Sequence, residues 1–246
     1  MRYVGFGGGE GLLTKAVADY LAATGRRIST LVIDANAGYL AKAAQLGLET
    51  LCADLAGVTL ADYDLVTMRS VNHYNDMATQ QRIIDAAFRA LKAGGYLVSQ
   101  SLSGPTERYC RLASQLSKLP ILGRVEGEKD EPHITSETEF TTLMERAGFS
   151  GIRVLGYAPA IEIGPEYYWA RFNLHRREAA EAADDATAVR AIDERHRAYV
   201  QLANRAIGDF LREASHDESV RIRRTRSSYV VPLTFPIFVG RRVRAA

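Results

Sequence analysis

The stretch V-G-F-G-G-G-E-G-L-L-T, residues Val4 to Thr14, decides how this chain is read. An apolar run enters a glycine cluster, and a helical pattern leaves it. A parallel sheet uses this arrangement to bring a backbone loop close to a nucleotide-like ligand. The spacing of the glycines is informative. A dinucleotide fingerprint needs G-x-G-x-x-G. Counted from Gly5 the third glycine falls on Glu10, and counted from Gly7 it falls on Leu12. Both registers fail. The pattern present is G-x-G-x-G over Gly7, Gly9 and Gly11, with Gly8 between and a helix over Leu12 to Ala23.

Outward from the loop, strand and helix alternate. Arg2 to Phe6 reads as a short apolar strand. The helix over Leu12 to Ala23 carries Leu12, Leu13, Ala16, Val17, Tyr20 and Leu21 as a stripe and stops at Gly25. Strands follow at Thr30 to Ile33, ending on Asp34, at Glu49 to Cys52, ending on Asp54, and at Asp64 to Met68. Ala37 to Gln45 and Met77 to Leu91 read as helices. Lys92 to Gly95 reads as a turn into a fifth strand, Tyr96 to Gln100. This order predicts an α/β fold with a doubly wound, mostly parallel sheet of seven strands, covered on both faces.

After residue 100 the pattern changes. Helices are expected over Pro105 to Ser117 and over Ser136 to Ala147, the latter capped by Thr135 or Ser136 and ended by Gly148. A sixth strand is expected at Gly151 to Tyr157. Glu166 to Leu211 is nearly continuous helical sequence, broken near Ala183 to Thr187. The last strand should begin at or after Pro236, because Pro232 and Pro236 cannot donate to a ladder. Three regions result: an α/β core over 1–160, a helical insertion or cap over 161–228, and a final strand over 229–246 that returns to the sheet.

Composition narrows the function classes. With 31 Lys and Arg against 29 Asp and Glu, the net charge of +2 points to no strong electrostatic partner. No apolar run approaches the roughly 20 residues that span a bilayer, and no signal peptide is seen. Cys52 and Cys110 have no Cys or His at ligand spacing, so packed, reduced thiols in a cytoplasmic protein are expected and no metal site.

Four signals in one order resemble the class I S-adenosylmethionine-dependent methyltransferases. The glycine loop resembles their first motif. Asp34, 23 residues beyond Gly11 in L-V-I-D-A-N, resembles the acid that takes both hydroxyls of a ribose. Asp54 in L-C-A-D-L resembles the acid facing the adenine amino group, with Leu55 packing on the ring. D-L-V-T-M-R-S-V-N-H-Y, Asp64 to Tyr74, resembles the fourth strand and its loop, which borders the sulfonium. Downstream, A-F-R-A-L-K-A-G-G-Y-L-V and T-S-E-T-E-F-T-T-L-M-E-R-A-G-F resemble later elements, so the likeness covers Tyr3 to Val154.

The resemblance implies S-adenosylmethionine as cofactor, held by Gly7, Gly8, Gly9, Gly11, Asp34, Ala35, Asp54, Leu55, Met68 and Arg69. It implies methyl transfer to an O or N nucleophile of a small molecule. His73, with Tyr74 beside it, is the leading candidate for a base, and His133 is a second. Tyr167, Tyr168, Trp169, Phe172 and His175 form an aromatic segment in the insertion, read either as packing or as a substrate pocket wall for a flat or apolar molecule.

Two departures stand out. The family carries an acid two residues before the first motif glycine, where this chain has Gly5. Few residues precede Gly5, which leaves cover for the cofactor to the insertion, to a partner chain in a homodimer, or to a preceding segment. Two other readings exist. One is a methyltransferase-fold protein that binds the cofactor without methylating, as a cyclase-like enzyme or a binding module. The other is an RNA or protein methyltransferase, suggested by the basic run Arg221 to Arg226. That run is expected instead to pair with acidic residues of the insertion. Base-amino methyltransferases carry Asn or Asp, then Pro-Pro and an aromatic, where this chain has Met68-Arg69-Ser70-Val71.

Overall fold

The computed structural model describes residues 1–117, 133–163, 169, 176–214, 223–224 and 229–243. Its elements begin β1 (Arg2–Phe6), α1 (Leu12–Ala23), β2 (Ser29–Asp34), α2 (Ala37–Gln45), β3 (Glu49–Cys52) and β4 (Tyr63–Arg69). A 3₁₀ turn (Asn72–Tyr74), α3 (Met77–Ala90) and β5 (Leu91–Gln100) follow. Beyond residue 100 come β6 (Ser103–Gly104), α4 (Glu107–Ser117), β7 (Thr135–Ser136), α5 (Glu137–Ala147) and β8 (Phe149–Ile163). The chain continues through α6 (176–182), α7 (Ala186–Ala214), β9 (Arg223–Arg224) and β10 (Tyr229–Arg242).

Among the described residues, the main sheet runs β3-β2-β1-β4-β5-β10-β8. The first five strands are mutually parallel. β10 is antiparallel to both β5 and β8. The expected doubly wound, mostly parallel seven-stranded sheet is therefore present. From β1 the chain builds outward through β2 and β3, then returns to β4 on the other side. The strand order reverses between β1 and β4, where Gly5 pairs with Thr67 and Phe6 with Met68. Open sheets bind ligands at such a point, beyond the carboxyl ends of the strands.

One face is sealed by α3 and α5. Val4, Phe6, Val66, Met68 and Leu97 meet Ile83, Ile84, Phe140 and Leu143 in a single apolar cluster. Ser136 caps α5, accepting from the Glu139 N–H while Glu139 accepts from the Ser136 N–H, and Gly148 ends the helix in the left-handed region. On the opposite face Val32 packs with Leu40, Ala43 and Leu48.

Three expectations are corrected. β10 begins at Tyr229 and contains both Pro232 and Pro236. Pro236 sits where the register with β8 shifts, and β5 pairs only from Ile237 onward, so the missing N–H falls where the ladder is broken. Lys92 to Gly95 is not a turn before β5 but an irregularity inside it. Leu91 already pairs with Tyr63, and pairing resumes at Leu65 with Tyr96. β8 runs to Ile163, past the expected end of the core at 160. The break between α6 and α7 falls where the sequence placed it.

Candidate functional site

The glycine loop leaves β1 with almost no room for side chains. Gly7, Gly9 and Gly11 have φ of 60°, 54° and 81°. A Cβ on Gly7 would lie 2.3 Å from Val71 Cγ2, and one on Gly11 would lie 2.6 Å from Leu48 Cδ1. The loop is thus pressed between the segment after β4 and the α2–β3 region. Its backbone is pinned in turn. The Gly8 N–H donates to the Ile33 carbonyl at 3.0 Å, and the Gly11 N–H to the Gly8 carbonyl at 2.9 Å.

Asp34 stands at the end of β2 and holds the loop from the side. Its Oδ2 accepts from the Gly9 N–H at 2.9 Å, and its Oδ1 accepts from the Asn36 N–H at 2.9 Å. Capping of α2 is done by Asn36, whose side chain accepts from the N–H groups of Gly38 and Tyr39. Asp34 is therefore not spent on a cap. Each of its oxygens keeps lone-pair capacity for a further donor. Ala35 beside it is exposed.

The other acidic position is less regular. Asp54 is exposed and accepts from the Ala56 N–H at 2.9 Å. Leu55, expected to face a ring, is only 7% exposed and packs with Val58 in the core. The turn after β3 directs it inward, so the expected packing role is corrected.

A cavity of about 280 Å³ opens at the carboxyl ends of β1 and β4. Its wall is Gly5 to Glu10 of the loop, Leu12 to Thr14 of α1, and Thr67 and Arg69 of β4. Strand alternation sends Thr67 and Arg69 to this side and Met68 to the other. Met68 is 2% exposed within the core, so it offers the cavity no side chain, contrary to expectation. Beneath the cavity lie three hydroxyls that sequence reading missed. The hydroxyls of buried Tyr3 and Thr67 are 2.7 Å apart, and Thr14 is 1% exposed. Burial pushes the Tyr3 phenol above its ordinary range, and hydrogen bonds to Thr67 and Thr14 pull it partly back.

At the far end of β4 the Ser70 N–H donates to the Gln100 carbonyl, and the chain enters the 3₁₀ turn. His73 is 6% exposed, with its ring 4.2 Å from that of Tyr74 and 6.4 Å from that of Phe235 on β10. His73 is not part of the cavity wall. His133 has its Nε2 3.9 Å from Glu139 Oε1, an ion pair only when the ring is protonated. The two segments are joined by Gln80, a buried residue on α3. Its Nε2 donates to the Asn75 carbonyl at 2.9 Å and to the His133 carbonyl at 2.7 Å. The sequence held a signal for it, because Gln80 shares the buried stripe of Ile83, Ile84 and Ala87.

Among the aromatic residues of the insertion, Trp169 is described. It stacks on His196 at 4.7 Å and lies 5.6 Å from Tyr199, within a cluster that includes Ile192 and Ala203. Trp169 therefore serves helix packing on α7. Tyr167, Tyr168, Phe172 and His175 lie outside the described residues. Of the basic run, Arg223 and Arg224 are described, and they pair with Tyr229 and Val230 of β10. Cys110 is buried, its thiol pushed up to about 12 by desolvation, whereas Cys52 is exposed rather than packed. Among the described residues no helix is long and apolar enough to cross a membrane.

Residues 4–99 match the family model described as a methyltransferase domain. No curated protein matches the sequence. Among solved structures, the YcgJ protein of Bacillus subtilis is similar over 99% of this chain and 92% of its own, with a TM-score of 0.68 and 12% identity. The cyclase SpnF is similar over 99% of this chain and 76% of its own, at TM-score 0.51 and 17% identity. A phosphoethanolamine N-methyltransferase of Haemonchus contortus, solved with S-adenosylhomocysteine, covers 99% of this chain with 49% of its own length, at TM-score 0.50 and 13% identity. At such identities these likenesses establish the fold.

Proposed function

We propose that this chain, whose residues 4–99 match the family model described as a methyltransferase domain, transfers the methyl group of S-adenosylmethionine to an O or N nucleophile of a small molecule. The observation that carries this is the loop itself. Gly7, Gly8 and Gly11 are packed so closely against Val71, Val32 and Leu48 that a Cβ at any of them would clash, and Asp34 braces the loop through the Gly9 N–H. The donor set fits the cofactor in part. Asp34 has free acceptor capacity for a ribose diol, and Arg69 in the cavity wall suits a carboxylate. Leu55, packed in the core and 7% exposed, offers little surface to an adenine ring.

The bound cofactor supplies an activated methyl group and its leaving group. What this chain must do is hold the acceptor in line and keep water out. Good alignment alone is worth roughly 7–11 kcal/mol. His73 is the candidate proton acceptor in this reading, although it lies outside the cavity wall and an acceptor would have to approach it at the end of β4. Its burial beside Tyr74 and Phe235 keeps it from bulk water and fixes its ring at the end of β4. The Gln80 bridge ties the backbone that follows that turn, at Asn75, to the His133 segment.

Mass spectrometry tests the proposal: the protein is incubated with S-adenosylmethionine and a panel of phenols, catechols and small amines. The expected result is S-adenosylhomocysteine formed in step with a product heavier by one methyl group. A second reading, a cofactor-binding protein that does not methylate, is favoured by the buried His73, which does not line the cavity. Cofactor binding without product from any acceptor would support it over methyl transfer. An RNA acceptor would instead require binding that weakens steeply with salt.

A further inference from the structure

We infer that this site reads the adenosyl thioether and the carboxylate of its ligand and is nearly blind to the α-ammonium. The inference rests on the proposed binding of S-adenosylmethionine. It starts at Gly5. This residue is not among the glycines with positive φ, so its backbone suits any side chain. A single atom bars one: an added Cβ would lie 2.3 Å from Thr14 Oγ1, but 3.5 Å from Thr14 Cβ and 3.8 Å from Thr14 Cγ2. The same Oγ1 would stand 3.4 Å from a Cβ on Gly8. The hydroxyl of Thr14 therefore fills the space between the start of the loop and its turn. Thr67 adds a second hydroxyl to the cavity wall, and it is within 2.7 Å of the buried Tyr3 hydroxyl behind it.

Charge around the cavity is distributed to the same effect. Among the described residues Glu10 is the carboxylate in its wall, and Lys42 on α2 pairs with it at 2.5 Å. Asp34 is engaged by the N–H groups of Gly9 and Asn36 and does not line the cavity. Arg69 does line it. An ammonium entering here meets hydroxyls, a compensated carboxylate and a guanidinium. A carboxylate entering here meets the Arg69 guanidinium and the start of α1, where no side chain caps the helix.

Calorimetry with three ligands tests this: S-adenosylhomocysteine, its deamino analogue and its decarboxylated analogue. The deamino analogue should bind within about threefold of the parent, and the decarboxylated one at least about tenfold more weakly. The double variant Gly5→Asp with Thr14→Ala removes the blocking oxygen and places a carboxylate in the cavity wall. It should prefer the parent over the deamino analogue by about tenfold or more. A wild-type preference of about tenfold for the parent over the deamino analogue would overturn the inference, as would a folded double variant that gains no preference. If the double variant does not fold, the wild-type ratio decides alone. No binding of S-adenosylhomocysteine to the wild type would defeat the underlying cofactor reading instead.

Discussion

On the β2 side of the cleft the chain is held by backbone groups: Gly8 on Ile33, Gly11 on Gly8, and Gly9 on the Asp34 carboxylate. On the α3 side it is held by side chains, with Gln80 tying Asn75 to His133 and His73 packed between Tyr74 and Phe235. The first arrangement depends on glycines at fixed spacing and has no room for a Cβ at Gly7, Gly8 or Gly11. The second brings together residues from α3, β10 and the segment before β7. A backbone-built half can serve an invariant cofactor. A side-chain-built half can be changed residue by residue to suit an acceptor.

The largest effect expected from breaking this contrast is at Gly7. Gly7→Ala adds a Cβ 2.3 Å from Val71 in a left-handed backbone, and should cost about 3 kcal/mol in urea unfolding and abolish measurable S-adenosylhomocysteine binding. Gly9→Ala serves as its control: a Cβ there meets nothing within 4 Å, and the loss should stay near 1 kcal/mol. Next comes the acceptor half. His73→Gln should lower kcat about a hundredfold and leave the affinity for S-adenosylhomocysteine unchanged in calorimetry. Equal kcat would remove His73 from the chemistry.

Gln80→Leu strips the donor from two carbonyls in one step. Stability should fall by about 2 kcal/mol, and the KM for the acceptor should rise while cofactor affinity holds. A loss of cofactor affinity in parallel would show that the two halves are not separable. The smallest effect is at the start of α3, where Asp76 caps the helix and its pKa is lowered, chiefly by the Thr79 N–H. Asp76→Ala should cost about 1 kcal/mol at neutral pH. The folded pKa lies below the unfolded one, so this contribution is present above about pH 4 and lost as pH falls through the folded value. Urea midpoints of wild type and variant should therefore converge in acid.

The same contrast explains what the sequence disclosed. The alternation through Gln100 and the loop spacing were legible because local periodicity and glycine requirements are written in consecutive residues. Asp34 was legible for the same reason, being fixed by the end of β2. Met68 and Leu55 were misread because a strand end or turn alternates its side chains, and a shift of one residue turns a wall position into a core position. β10 was read too short because the tolerance of Pro236 depends on a bulge against β8, a partner distant in sequence. Gln80 and Thr14 were missed because their neighbours, His133 and Gly5, are set by packing rather than by spacing.

The central claim is that the glycine loop and Asp34 together bind the nucleoside of S-adenosylmethionine. Isothermal calorimetry with S-adenosylhomocysteine on the wild type and on Asp34→Ala tests it most directly. The account predicts micromolar binding to the wild type and a loss of about tenfold or more in the variant, which gives up the ribose contact and the brace on the Gly9 N–H together. Equal affinity of the two proteins, or no binding to the wild type at millimolar ligand, would contradict it.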